Sequence, residues 1–406
     1  KYLAFEKYDE SPVELIKRNE IFADRVDLVE QRYPYAGRAN VDYSIGFYHL
    51  ETGQTVYAQI ETAETYLARA KWDPQNTALY VQILNRSQTE LKLVRLDPET
   101  GEAKTILTEK SAPWLNVNDV FRFSNDGQSF LWGSERSDIR QLYVYDINGQ
   151  LKEQLTDSEN PVANVVSWDD DEVVYTAFTD KALNLECYRV ARGDTKVILG
   201  GTGMRAAILS SDKTALVSVF NDVHTPQKVN LMNLDTGVET LIHEAHCKLD
   251  GRNIAEVVSE PEYGVLKSKD RQVDLNYKLM LPHNFDASKR YPAIVHLYGG
   301  PHAQMVTKGW QGERYLFQQY LTSKGFVVIS LDNRGSANRG LAFEGAIYKN
   351  MGDLEVEDQA VAGEFLQSLA YVDPDRIGVH GWSYGGYMTL MCMFKKPALF
   401  KVGVSG

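Results

Sequence analysis

Over the first 250 residues, apolar side chains come in short runs that alternate with polar ones, and many runs close on an acidic turn ending in glycine. The runs include Ala78–Leu84 (ALYVQIL), Ser129–Ser134 (SFLWGS), Glu172–Phe178 (EVVYTAF) and Ala215–Phe220 (ALVSVF). Successive side chains of a strand point to opposite faces, so alternation between Asp-x-x-Gly turns predicts antiparallel hairpins. The strand-plus-turn unit recurs as FYHLETG (Phe47–Gly53), KLVRLDPETG (Lys92–Gly101), LYVYDINGQ (Leu142–Gln150), CYRVARGD (Cys187–Asp194) and LMNLDTG (Leu231–Gly237). The turn glycines Gly53, Gly101, Gly149, Gly193 and Gly237 lie 48, 48, 44 and 44 residues apart. A period of about 40–50 residues with several strands per unit predicts a partial all-β propeller over residues 1–252, with about five blades visible. The plainer alternative is a run of unrelated hairpins.

The pattern changes after Asn253, from about Glu256. EYGVLKSKDRQVDLNYKLMLP reads as two strands. YPAIVHLYGG (Tyr291–Gly300) and FVVISL (Phe326–Leu331) are almost continuously apolar, as strands buried on both faces are. Between them ERYLFQQYLTSKG places Leu316, Phe317, Tyr320 and Leu321 at helical spacing, with Gly325 as a stop. Asp353–Ala370 is expected to be helical, with Val361, Phe365 and Leu369 on one stripe. VDPD breaks it, RIGVH (Arg376–His380) returns as a strand, and FKVGVSG (Phe400–Gly406) starts another. Strands alternating with helices imply a doubly wound, mostly parallel sheet. Residues 253–406 are therefore expected to be an α/β-hydrolase domain cut off after the nucleophile helix.

Bulk properties narrow the classes. The 406 residues suffice for two or three domains. A net charge of −12, without any Lys/Arg-rich run, argues against a nucleic-acid partner. No apolar run approaches the roughly 20 residues that a bilayer span needs. Cys187, Cys247 and Cys392 are too few and too widely spaced for a disulfide framework or a CxxC metal site. His243 and His246 flank Glu244 without a third ligand nearby, so no metal and no cofactor is expected. DNRGSANRG (Asp332–Gly340) is glycine-rich but lacks the phosphate-loop spacing, and is expected to be an ordinary loop lining the site.

The chemistry concentrates in Gly381-Trp382-Ser383-Tyr384-Gly385, which matches G-x-S-x-G. About 0.1 chance matches are expected in a chain of this length. Its place after a buried strand and before a helix is what a nucleophile elbow requires, which makes Ser383 the candidate nucleophile. The Tyr384 N–H, at the helix N-terminus, is one candidate oxyanion donor. The second donor belongs in the loop after an earlier strand, here LYGGPH (Leu297–His302), where Tyr298 is either the donor or simply a packed aromatic. No histidine follows Ser383; His296 and His380 are expected to pack in strands, and His302 falls in the wrong chain order for a base. Trp382 and Tyr384 are the candidate substrate-contacting side chains, with Trp382 expected to pack beneath the elbow and the Tyr384 ring to line the specificity pocket. The chain opens on Lys1 without Met and stops just past the elbow helix. The expectation is a piece of a longer protein, with the acid and base of the triad beyond Gly406 and little activity in the piece alone.

These motifs together resemble the prolyl oligopeptidase family of serine peptidases, in its dipeptidyl peptidase IV branch. GWSYGGY (Gly381–Tyr387) is similar to that branch's nucleophile motif, and FEGAIYKNMGDLEVEDQ (Phe343–Gln359) resembles the stretch preceding its nucleophile helix. HLYGGP is similar to the loop whose tyrosine supplies the oxyanion hydroxyl, which favours Tyr298 as donor, and RYPYAG (Arg32–Gly37) resembles a propeller segment of the branch. The resemblance implies a propeller feeding peptides to a serine hydrolase that releases Xaa-Pro or Xaa-Ala dipeptides from free N-termini. It implies peptide substrates and allows a homodimer. The resemblance implies that the branch's paired glutamates for the substrate ammonium lie N-terminal to the segment beginning here, and no EE occurs in this chain. Bacterial members suggest a periplasmic or secreted protein. An oligopeptidase or acylaminoacyl peptidase on the same scaffold, and a propeller serving only for binding, are the competing readings.

Overall fold

The computed structural model describes residues 1–117, 119–169, 172–191, 193–249, 252–253 and 258–406. The change of pattern expected near Glu256 falls outside the described residues. The chain divides into two compact units: one of residues 1–118, 123–130 and 145–152, the other of residues 119–122, 131–144 and 153–406.

The period-two segments form antiparallel sheets. Tyr2–Asp9, Asp42–His49 and Thr55–Tyr57 make a three-stranded sheet, and Leu15–Ile21 pairs with Val26–Arg32. A four-stranded sheet follows from Thr65–Trp72, Leu79–Asn85, Glu90–Leu96 and Ala103–Lys110. The next runs Phe121–Phe123, Ser129–Ser134, Gln141–Asp146 and Leu151–Gln154. Two more four-stranded sets, Val162–Leu199 and Met204–Glu244, are joined by one parallel pair, Leu185 with Met204. The five turn glycines each join the last two strands of a set, and all have positive φ, from 69° to 90°. Gly101 shows why the residue type matters. Its N–H bonds to Asp97 O, Asp97 Oδ1 accepts the N–H groups of Glu99 and Thr100, and a Cβ at Gly101 would collide with the Tyr57 carbonyl.

The C-terminal region is a six-stranded sheet: β1 (Glu262–Lys267), β2 (Asp274–Met280), β3 (Tyr291–His296), β4 (Val327–Leu331), β5 (Val372–Gly381) and β6 (Val402–Ser405). The spatial order is β1-β2-β4-β3-β5-β6. β2 runs antiparallel to β1 and β4, while β4, β3, β5 and β6 are parallel. Helices α1 (Glu313–Ser323), α2 (Leu341–Glu344), α3 (Leu354–Ser368) and α4 (Tyr384–Lys395) make the connections. Val295, Val327, Ile329, Ile377 and Val379 are all at most 2% exposed, and each such burial contributes about 1.5–3 kcal/mol. VDPD lies within β5, where the β3–β5 register shifts between Tyr291–Val372 and Ala293–Ile377.

Two helix faces differ from the expected stripes. In α1 the buried residues are Tyr315, Gln318, Gln319 and Thr322, while Phe317 and Tyr320 are exposed. In α3 the buried face carries Glu355, Val356, Asp358, Gln359, Ala360 and Leu366, and Val361 and Phe365 are only partly buried. Apolar spacing alone misplaced both faces because each helix satisfies loops as well as sheet. Gln319 holds Ser259 through both amide atoms, and Asp358 and Gln359 hold Arg334 and Asn333 of the loop after β4.

Candidate active site

The register of the parallel strands builds the site. His296 of β3 lies opposite His380 of β5, so Tyr298, two residues past His296, and Ser383, three past His380, emerge at the same edge of the sheet. Ser383 has φ 59° and ψ −119°, a conformation that costs a non-glycine residue about 1–3 kcal/mol and is found at sites that hold it in place. The holding groups are identifiable. The Ser383 N–H donates to Gly406 O at 3.0 Å, the Gly406 N–H donates to Gly381 O at 3.1 Å, and Tyr387 N–H bonds to Ser383 O at 3.1 Å.

The neighbouring glycines allow the approach. A Cβ on Gly381 would stand 2.7 Å from Leu297 O, one on Gly385 2.7 Å from the same carbonyl, and one on Gly386 would collide with Gly406 O. The Ser383 side chain is exposed and makes no hydrogen bond among the described residues. The Tyr384 N–H opens α4 and is one of its orphan donors.

Tyr298 is half-buried, packed near Leu183, Met305 and Val306, and its hydroxyl has no hydrogen-bond partner among the described residues. Its ring lies 6.0 Å from that of Tyr384. The start of α4 sits directly on this loop, since a Cβ on Gly385 would be 3.2 Å from Tyr298 Cα. The Tyr384 hydroxyl donates to Glu355 Oε1 at 2.8 Å, and Glu355 Oε2 accepts the Gly352 N–H at 2.9 Å. Burial and the Glu355 hydrogen bond push the Tyr384 phenol far above its usual range, so it remains a donor. Trp382 corrects the expectation that it packs beneath the elbow: it is 74% exposed, with its ring against Gly406.

Two histidines, His296 and His380, lie side by side in the sheet below the elbow, and His302 lies in the loop after β3. The His296 and His380 rings are 5.1 Å apart, and His296 Nδ1 meets Gln318 Nε2 at 3.1 Å. Burial pushes His296 down to about 3 and also lowers His380, so both are neutral at ordinary pH. His302 Nδ1 lies 2.8 Å from Glu344 Oε1, and that contact raises its pKa.

The Asp332–Gly340 loop lies at the same sheet edge, with its first residues buried. Arg334 donates to Asp358 from its backbone N–H, Nε and Nη2, and to Asp270 from Nη1 at 2.6 Å. Sequence reasoning missed this clamp and the role of Glu355. The available signal was LEVEDQ, whose Glu355, Asp358 and Gln359 fall at i, i+3 and i+4 on one helix face.

A sheet of this order, with a serine on a positive-φ turn between its fifth strand and the next helix, defines the start of a hydrolase domain of the α/β type. The chain belongs to the prolyl oligopeptidase family of serine peptidases, in its dipeptidyl peptidase IV branch. Residues 1–227 match the family profile for the dipeptidyl peptidase IV (DPP IV) N-terminal region, and residues 314–406 match that of the prolyl oligopeptidase family. Dipeptidyl peptidase 8 of Mus musculus is 28% identical over the whole chain, which covers 54% of that relative. The solved structure of a Bacteroides ovatus protein assigned as a dipeptidyl aminopeptidase IV superposes with a TM-score of 0.91 at 33% identity, covering all of this chain and 60% of that one. Dipeptidyl peptidase 4 of Porphyromonas gingivalis gives a TM-score of 0.89 at 26% identity, over 98% of this chain and 57% of that one. The chain thus spans about half the length of the curated relatives it matches.

Proposed function

We propose that this chain forms part of a serine exopeptidase that releases Xaa-Pro or Xaa-Ala dipeptides from free peptide N-termini. The observation that carries the proposal is the Ser383 turn, at the sheet edge where Tyr298 also emerges; the Ser383 and Tyr298 hydroxyls have no hydrogen-bond partner among the described residues, and the Tyr384 N–H opens α4. The relatives named dipeptidyl peptidases support the exopeptidase class.

In this reading Ser383 Oγ attacks the carbonyl after the second residue and passes its proton to a general base. The carbonyl oxygen becomes an oxyanion held by Tyr298 and the Tyr384 N–H. The base then protonates the leaving amine, and water releases the dipeptide from the acyl-enzyme. Trp382, exposed beside Ser383, and the Tyr384 ring contact substrate. The antiparallel sheets of residues 1–252 are read as propeller blades that present the peptide to the domain of residues 253–406. A homodimer and a periplasmic or secreted location complete the proposal.

The test uses the full-length protein. Free Ala-Pro arylamide is expected to be cleaved and its N-blocked form to resist, with Ser383→Ala abolishing turnover and labelling by a fluorophosphonate. Cleavage of both forms would move the protein to the oligopeptidases or acylaminoacyl peptidases. Cleavage of neither, with Ser383 inert to the probe, would leave a binding propeller.

A further inference from the structure

The loop that carries Tyr298 is soft by composition. Tyr298 is followed by Gly299, at φ 79°, and Gly300, and two glycines leave a backbone with little intrinsic preference. A donor placed on such a loop needs an external tether. The structure provides one in a side chain that the proposed chemistry does not use.

Asn333, in the loop after β4, is fully buried. Its Nδ2 donates to Gly299 O at 3.0 Å and to Arg334 O. Its Oδ1 accepts from Gln359 Nε2 at 2.8 Å, and the same Gln359 amide donates to Leu331 O at 2.9 Å. Gln359 sits on α3 one turn beyond Glu355, which holds the Tyr384 hydroxyl. One buried helix face thus reaches both residues that carry a proposed oxyanion donor: the Tyr384 side chain through Glu355, and the Tyr298 loop through Gln359 and Asn333. The tether requires an amide, because Asn333 must accept from Gln359 and donate to Gly299 at once. A carboxylate would accept only, and an apolar side chain would do neither.

We infer that Asn333, oriented by Gln359, is a positioning residue that holds Tyr298 where the oxyanion forms. The inference rests on the oxyanion role proposed for Tyr298. It adds that the activity of Tyr298 depends on a buried amide relay from α3. Misplacing a reacting group by about 1 Å can cost on the order of 100-fold in rate.

The test is a double-mutant cycle in the full-length protein. Tyr298→Phe removes the donor and is expected to lower kcat by about 10²–10³. Asn333→Ala leaves the hydroxyl but frees its loop, and is expected to lower kcat by about 10–100-fold with KM within about twofold. In the Tyr298→Phe background, Asn333→Ala is expected to cost no more than about a further twofold, since no hydroxyl remains to be placed. Losses that multiply, or an Asn333→Ala protein with unchanged kcat, would overturn the inference. If Asn333→Ala does not fold, Gln359→Met replaces it in the same cycle, removing the amide that orients Asn333 while keeping side-chain length. A Tyr298→Phe enzyme with full kcat would remove the oxyanion role itself and the inference with it. That failure appears in the single Tyr298 variant and is therefore distinct from additivity.

Discussion

At the scale of single residues, the interior beside the site holds ionisable groups far from their usual state. Lys278 on β2 is fully buried, donates to Gln311 Oε1 at 2.7 Å and lies over the Tyr315 ring. Burial pushes it down to about 7. Asp332, also buried, accepts the N–H groups of Met305 and Val306, and burial pushes it up to about 7. Between about pH 4 and 7 the folded chain keeps a proton on Asp332 that the unfolded chain has lost, so this group makes stability fall as pH rises. Between about pH 7 and 10 the unfolded chain keeps a proton that folded Lys278 has lost, so stability rises again. Lys278→Met is expected to flatten that upper limb, removing a gain on the order of 2 kcal/mol between pH 7 and 9. Denaturant titrations at the two pH values read it directly. An equal rise in the variant would show that Lys278 is not the group responsible.

Elements differ in how far their sequences reveal them. The strands were legible because β-strand periodicity is local: Ser129–Ser134 is a strand over the residues read from the pattern, and Glu172–Phe178 gains only Thr179. The elbow was legible because its glycines and serine are contiguous and its turn is a backbone property. The helices were found, but their buried faces were not. Gln318, Asp358 and Gln359 look like solvent-facing residues until the strand and loop residues that they bond are known. The elbow gives the test at this scale. Gly386→Ala would set a Cβ against the Gly406 carbonyl, a backbone atom that cannot rotate away. Overpacking of this kind is expected to cost about 1–3 kcal/mol, read as a lower denaturation midpoint with unchanged slope. The same stability as wild type would mean that α4 and β6 are less closely apposed than they appear.

Across the whole molecule, ties within the larger compact unit run over the change in sequence pattern near residue 256. Asp138 takes the N–H groups of Leu341 and Ala342 at the start of α2. Lys181 pairs with Asp274, and Lys308 with Asp180. Asn276 Nδ2 donates to Lys181 O, Gln304 to Ala182 O, and the Trp310 N–H to Asn221 Oδ1. Several of these bonds are partly buried, where they contribute more than exposed ion pairs. The strands Glu172–Thr179 and Asn184–Ala191 are therefore expected to open together with β3 and β5. Hydrogen exchange would show it as similar opening free energies for the two sets. Exchange of the antiparallel strands by a much easier opening would separate them energetically.

Whatever depends on neighbours along the chain was fixed before folding is considered: the hairpin period, the positive-φ turn glycines, the parallel-sheet strands and the strained serine turn. Backbone sterics and side-chain alternation act over a few residues, so composition at those positions decides them. The polar face of α3, the pairing of Glu355 with Tyr384, the Arg334 clamp and the exposure of Trp382 were decided only by the tertiary structure. A buried polar group is stable only if a partner arrives, and these partners come from segments as much as 64 residues away, as Asp270 does to Arg334.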